Sequence, residues 1–501
     1  MLDYTASKIK QKRDLFQRLA AERADNDVII PCLRPDNIPV SFIQQQVIGA
    51  ELDGLYNPDE MRVNCPALSY LIKGGINISA LDKALCEIVR RHEILRTNYV
   101  VIDKQIFQKI NDAPNAVLQI SDLRDLKINE RKQEVERILN ELTSKPFSFF
   151  DNKFMISATM IITSDDEYIL IIITNHIATD GLSMNILQQE LFVLYQAFLY
   201  NTPSPLPELP IQYVDFTMWE RKRYSGEFLE KKLDYWKKIP DTINTSLPVD
   251  HAPASSSYTG DTVPVSLLPE LVKRLMRLGL DNKVTLFTVL FSAFIWLIHS
   301  FSGYKYNLFC MPVANRLRKE THSLIGCLMN FQFVHVDFNG NPTFIELIER
   351  VYKNLLEVYD NYVPFHFISG VIPPQDPMVD FQLKTSLDLM TTPVDKQSLF
   401  DKSRPATPSK PEPFSKSAAG SMAVIPFKLQ QSEFALFPID VFLTENSNTI
   451  NGHFKYQTAS YDRSTILKLV NDYVVLLTKL VRNPDMRIQE TGIKLHPAAI
   501  A

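Results

Sequence analysis

The sequence predicts a mixed α/β protein, class α/β (α+β), built as two halves of comparable size. Three observations carry this. Strand-like and helix-like patterns alternate along the chain from about residue 68. The same recipe resumes after a proline-rich break at 201–210, NTPSPLPELP. A composition of 45% hydrophobic and 22% charged residues over 501 positions belongs to a chain with a large buried core, not to a disordered, collagenous or disulfide-scaffold protein. Length alone, at about 150 residues per domain, suggests about three domains.

The elements follow in order. Residues 6–23 form a basic amphipathic pattern, read either as a terminal helix packed on the body or as a docking helix for a partner. LSYLIKG (68–74) reads as a strand, and a helix follows from Ser79, with Ser79-x-x-Asp82 as a capping box and Leu81, Ala84, Leu85, Ile88 and Val89 as its buried face. ILRTNYVVI and VLQISDL read as strands, and ERKQEVERILNELTSKPF as a helix with a charged outer face. FMISATMIIT and EYILIIIT (167–174) pair around the turn SDDE. The second is an unbroken apolar run, so both of its faces are covered. Leu182, Ile186, Leu187, Leu191, Leu194, Tyr195 and Phe198 then mark a long amphipathic helix. In the second half a helix is predicted near 284–300, a strand near 329–337, a hairpin turn at Asn451-Gly452 and a last helix over 463–482. Residues 391–422, rich in Pro, Ser and Lys, read as a mobile surface loop. No short-period repeat is visible.

Charge and cysteines narrow the function. Lys+Arg total 53 and Asp+Glu 57, a net charge of −4, so no basic excess points to nucleic acid. Cys32, Cys65, Cys86, Cys310 and Cys327 form no CxxC pair and are odd in number, which predicts free thiols in a reducing, cytoplasmic setting, with Cys86 in the core. The N-terminus has no signal-peptide pattern, and LFTVLFSAFIWLI (286–298) is shorter than the roughly 20 residues a membrane span needs, so it is expected as a buried helix. P-loop, GxGxxG, GxSxG, HExxH and zinc-spaced Cys/His patterns are all missing.

The positive feature is Asn175-His176-Ile177-Ala178-Thr179-Asp180-Gly181, between a buried strand and a long helix. A histidine there sits at the mouth of the core with a proton affinity suited to general-base work. Gly181 lets the backbone turn closely, and the free N–H groups of a helix start can face an oxyanion. The plainer alternative keeps Asp180 as a helix N-cap and His176 as a satisfied core histidine. On spacing alone both stand.

The wider context favours chemistry. Across roughly 38–490 the sequence resembles the condensation domains of nonribosomal peptide synthetases. IPVSFIQQQ (38–46), RRHEILRTNY (90–99), NHIATDG (175–181), LPIQYVDFTMWERK (209–222), LDYWKK (233–238), the long stretch 311–351, VPFHFI, PQDPMVDFQ, FPIDVFLTE and GHFKYQTASYD match the family's segments in order. NHIATDG is similar to its HHxxxDG motif. That motif alone would also fit wax-ester, plant or polyketide-associated acyltransferases.

The resemblance implies two chloramphenicol-acetyltransferase-like lobes in a V-shaped pseudodimer with a central tunnel. Their expected spans are 36–210 and 211–490, flanked by an N-terminal linker or docking helix (1–35) and a tail (491–501). It implies an acyltransferase that moves an acyl or peptidyl group from a carrier protein to an acceptor amine or alcohol, forming an amide or ester. The chain would bind no cofactor of its own, because the phosphopantetheine arm comes with the carrier. Donor and acceptor carrier proteins are the implied partners, with no nucleic acid and no membrane, and the chain is expected as a monomer. Residue by residue, His176 takes the catalytic position and Gly181 the one beside the thioester. Asp180 takes the structural, arginine-paired position, with Arg316 as its first candidate partner and Arg96 as its second. Asn330 is the tunnel-lining candidate. Asn175 replaces the first motif histidine, Gln46 stands where an arginine is common without the usual following aromatic, and the 391–422 loop is longer than expected. No stretch of the chain reads as an adenylation or carrier domain, so its substrates are expected to be activated and delivered by other proteins.

Overall fold

The computed structural model describes residues 28–53, 65–144, 147–239, 247–252, 258–303, 306–372, 385–391, 423–427, 429, 434–446, 448–490 and 492. The expected helix at 6–23, the loop 391–422 apart from Thr391, and the tail apart from Gly492 lie outside them.

Among the described residues the first elements are β1 (Ile38–Pro39) and α1 (Phe42–Leu52). Strand β2 (Ala67–Lys73) leads into α2 (Ile78–Arg91). A 3-10 turn at Glu93–Arg96 is followed by β3 (Thr97–Ile102), β4 (Gln105–Ile110) and β5 (Leu118–Asp122). Helix α3 (Ile128–Ser144), β6 (Ile156–Ser164), β7 (Glu167–Thr174) and α4 (Gly181–Leu199) complete the first half. Beyond the proline-rich stretch come α5 (Tyr213–Arg223), α6 (Gly226–Trp236), β8 (Gly260–Leu267), α7 (Pro269–Asp281) and α8 (Leu286–Ser302). Then follow β9 (Tyr306–Val313), β10 (Asn330–Asp337), α9 (Phe344–Asp360), the short α10 (Phe365–Ile368), β11 (Thr385–Thr391) and β12 (Ala423–Pro426). Next come β13 (Ile439–Asn446), β14 (Thr449–Gln457) and α11 (Arg463–Leu480), followed by a 3-10 turn at Ile488–Glu490.

Two larger sheets share one plan. In the first, the order β12-β2-β7-β6-β5 pairs β2 with β7 and β7 with β6 antiparallel, and β6 with β5 parallel. In the second, the order β10-β9-β11-β13-β14-β8 pairs β8 with β14 and β14 with β13 antiparallel, and β13 with β11 parallel. Each half therefore contains an antiparallel hairpin followed by a loop and a long helix. This is the two-lobed α/β architecture that the resemblance implied, and the two sheets repeat it in their topology.

The lobes exchange parts. Ile211, Tyr213 and Phe216 of the α5 segment pack in the first lobe's core, although they follow the proline-rich stretch. Leu324, Ile325 and Leu328 and the β12 residue Val424 join the same core, and β12 itself pairs with β2. In return Phe42 of α1 packs in the second lobe's core. Each fully buried aliphatic side chain of this kind stabilises the junction by about 1.5–3 kcal/mol.

The structure revises several local expectations. Helix α2 starts earlier than Ser79, because Asn77 is the N-cap and its side chain accepts from the Ala80 N–H, so the Ser79 capping box does not form. Cys86 lies half-exposed on α2 and is not a core residue. Leu182, expected on the buried stripe of α4, is exposed. The Asn451-Gly452 turn is not a turn: the hairpin closes at Asn446 and Thr449, and both residues lie inside β14. The glycine there serves a close approach, since a Cβ on Gly452 would fall 1.9 Å from the Phe442 carbonyl oxygen. Helix α8 is almost wholly buried, as its apolar run required. Among the described residues no single helix is long and apolar enough to cross a membrane.

Candidate active site

The β-branched run of β7 holds its end deep in the first core, and the loop 175–180 turns sharply there into α4. Asn175 shapes the turn. Its Oδ1 accepts the Ile177 N–H at 2.8 Å, and its carbonyl oxygen accepts the Ala178 N–H at 3.0 Å and the Thr179 hydroxyl at 3.1 Å. Thr174 and Thr179 close the loop across its base, hydroxyl to hydroxyl, at 2.7 Å. An amide suits this task, because one side-chain oxygen caps the local N–H that would otherwise be buried unpaired.

Asp180 ends the loop in two roles at once. As the N-cap of α4 its Oδ1 accepts the Ser183 N–H at 2.8 Å. It is also ion-paired with Arg316, whose Nη2 donates to Oδ1 at 2.9 Å and to Oδ2 at 3.1 Å. The capping and ion-pair readings of this residue are thus both right. The pair is 4% exposed at Asp180 and 6% at Arg316, so it is a buried bond between the lobes. Arg316 further donates Nη1 to the carbonyls of Thr321 (2.7 Å) and Leu324 (2.6 Å), and the Leu328 N–H donates to Asp180 Oδ2 at 3.2 Å. Ser183 Oγ accepts from the Gly326 N–H at 3.1 Å and from Arg316 Nη2 at 2.9 Å. Burial beside this cluster pushes the Cys327 thiol up, so it stays protonated and inert.

Arg96, the second candidate for this pairing, is elsewhere. The 3-10 turn carries it to the far end of β4, where it donates to the Asn111 carbonyl and lies 3.8 Å from Glu93. Asn330 opens β10, is 2% exposed, and its Oδ1 accepts the N–H groups of Phe331 (2.8 Å) and Phe365 (3.0 Å). Its amide oxygen fixes α10 against the strand.

His176 stands apart from this bonding. Its backbone carbonyl accepts the Thr179 N–H, and the residue is half-buried where its neighbours Asn175 and Ile177 are fully buried. Gly181, the first residue of α4, is exposed. The first N–H groups of a helix have no partner within it, so the α4 start offers donors beside the histidine. The site thus joins an accessible imidazole to a donor-bearing helix end, both set in a rigid buried frame. Sequence reading missed Ser183, His92 and Tyr213, which complete that frame. Ser183 had a local signal, a hydroxyl three residues past an N-cap aspartate.

Two lobes of one plan, with a histidine on the strand-to-helix loop of the first, place the chain in the two-lobed chloramphenicol-acetyltransferase-like class of fold. The family model of the Condensation domain matches residues 36–496, and the chain belongs to that family. It is 32% identical over 467 residues to one of the proteins that make up the linear gramicidin synthase of Brevibacillus parabrevis, a match spanning 92% of this chain and 6% of that relative. The chain thus spans a small fraction of such a synthase. Among solved structures, the X-domain in the complex of the X-domain and OxyB from teicoplanin biosynthesis superposes with a TM-score of 0.76 at 21% identity, covering 94% of this chain and 98% of that one. The first condensation domain of the CDA synthetase superposes at 0.68 and 14% identity, covering 91% and 98%.

Proposed function

We propose that this chain joins an acyl or peptidyl group, held as a thioester on the phosphopantetheine arm of a carrier protein, to an acceptor amine or alcohol. The observation that carries the reading is the accessible His176 beside the exposed start of α4, on a loop whose every other residue is buried. The acceptor nitrogen or oxygen attacks the thioester carbonyl carbon, and His176 takes or orients its proton. The N–H at Gly181 holds the oxyanion. The carbon–sulfur bond then breaks, an amide or ester forms, and the arm leaves as a thiol on the carrier after regaining a proton. General-base removal costs on the order of 10²–10⁴-fold in rate, so His176→Ala should lose turnover by that factor with an acyl-loaded carrier and a panel of amines and alcohols. Equal product from both proteins overturns the role given to His176. Saturable turnover with a soluble thioester and no carrier would instead make the chain a free acyltransferase.

A second reading, a carrier-binding platform without catalysis, is favoured by Asn175 in the first motif position. There the side-chain oxygen is spent on the loop itself. Turnover with purified carriers and no further enzyme ends that reading.

A further inference from the structure

One segment that follows the Arg316 loop is held by side chains packed in or beside the first lobe's core. Residues 325–328 run from the Arg316 loop toward β10, and their main-chain groups are taken in turn. His92 Nδ1 accepts the Ile325 N–H at 3.4 Å, and Ser183 Oγ accepts the Gly326 N–H at 3.1 Å. The Tyr213 hydroxyl donates to the Cys327 carbonyl at 2.7 Å, and Asp180 accepts the Leu328 N–H. Tyr213 is itself steadied by Ser41 Oγ at 2.9 Å. The approach admits no side chain: a Cβ on Gly326 would fall 2.2 Å from the Tyr213 ring.

His92 is the least obvious of these holders. It is fully buried, and its Nε2 lies 3.0 Å from Glu190 Oε2 on α4. An Nδ1 that accepts from Ile325 leaves Nε2 to donate to the carboxylate. Arg91 donates to both oxygens of Glu190 at 3.1 and 3.2 Å and to the Pro207 carbonyl at 2.9 Å. Burial opposes the charge on Glu190, but its interactions with His92 and then Arg91, hydrogen bonds foremost in each case, outweigh it, so the carboxyl is held below its ordinary range. The chain of contacts runs from α2 through Glu190 on α4 and from His92 to segment 325–328. Through Gly326 and Leu328 it reaches Ser183 and Asp180, which fix the start of α4 beside His176.

We infer that His92 and Tyr213 are positioning residues for the reaction at His176: they set segment 325–328 against the start of α4, and so place Gly181 and the histidine loop. The activity arm of this inference rests on the transferase reading above. Its test uses the full chain and the two separable contacts of His92. Asn at this position keeps an acceptor where Nδ1 stood, and Gln keeps a donor where Nε2 stood. His92→Ala and His92→Gln should lower kcat about tenfold to a hundredfold, because small misplacements at a reacting centre cost that much. The donor KM should stay within about twofold. His92→Asn should recover most of the loss seen with His92→Ala, and Tyr213→Phe should lower kcat by a smaller factor. Equal kcat losses in His92→Asn and His92→Gln that follow Tm overturn the inference, as does unchanged kcat in both His92→Gln and Tyr213→Phe.

A second readout needs no turnover. Asp–Gly pairs occur only at Asp53-Gly54 and Asp180-Gly181, so labelling Asp carbonyl carbon and Gly nitrogen leaves two amide resonances, and the one lost in Gly54→Ala identifies the other as Gly181. It should move in His92→Gln and stay near its wild-type position in His92→Asn. A resonance that moves alike in both, or in neither, overturns the positioning role. A wild-type chain without turnover whose Gly181 resonance still separates the two variants would sink the transferase reading and keep the positioning one.

Discussion

The molecule contains one structural unit twice, and the two copies end in different loops. In the first lobe the hairpin β6–β7 runs through NHIATD into α4; in the second, β13–β14 runs through TASYD into α11. Both helices have an aspartate at the N-cap. Asp180 is buried, caps Ser183 and is bonded to Arg316 of the other lobe. Asp462 is 58% exposed, makes no side-chain cap bond, and meets a similarly exposed His251 at 3.1 Å. The residue before it, Tyr461, is 2% exposed and fills the core, whereas His176 of the first loop is only half-buried. The two loops thus differ in what the rest of the chain brings to them. Arg316 and segment 325–328 come to the first loop from over a hundred residues away.

The sharpest way to break this contrast is chemical. His176→Ala should cost on the order of 10²–10⁴-fold in kcat, whereas Tyr461→Phe in the other loop should leave turnover unchanged, both read in the same carrier assay. The next effect is on stability. Arg316→Met leaves Asp180 charged and buried and should cost about 3–5 kcal/mol in denaturant unfolding, with Asp180→Asn in the same chain restoring part of it. Asp462→Asn, exposed and weakly paired, should cost at most about 0.5 kcal/mol.

A third effect separates the two hairpins by pH. Burial pushes Asp440 on β13 up from 3.8 to about 7, against the opposing hydrogen bond from Ser386 and the charge of Lys455, with Asp388 adding to the rise. The folded state then holds this proton more tightly than the unfolded one. Its stabilising contribution is complete below the unfolded value and disappears as pH rises through about 4 to 7. Asp440→Asn should flatten Tm against pH over that window and gain on the order of 2–4 kcal/mol relative to wild type above it. Asp388, raised to about 6, and Glu220 under α1, raised to about 7, leave a smaller slope of the same sign. The smallest expected effect is on Tyr461 itself. Its hydroxyl has no partner among the described residues, so Tyr461→Phe should be neutral or stabilise by up to about 1 kcal/mol by removing a buried polar group.

Local pattern made much of this legible. The apolar run of β7, the stripe on α2 and the apolar length of α8 state their burial in the residues themselves, because a period of 2 or 3.6 is a property of neighbours in sequence. The exceptions have local causes that pattern does not encode. Asn451-Gly452 carries the signature of a turn, yet it sits in a strand because the Phe442 carbonyl passes too close for a side chain. Asn77 outcompetes Ser79 as a cap because a cap is chosen by the geometry of the chain entering the helix.

By itself the sequence determined the class of fold, the strand-to-helix loop with His176, Asp180 and Gly181, and Arg316 as a candidate partner. Tertiary structure decided which arginine meets Asp180, since Arg316 and Arg96 are chemically alike and only the path of the chain separates them. It also decided that His92 and Tyr213 belong to the site. Their hydrogen bonds go to main-chain groups of residues 325–328, and a main-chain N–H or C=O is the same at every position, so no residue type could announce the partner.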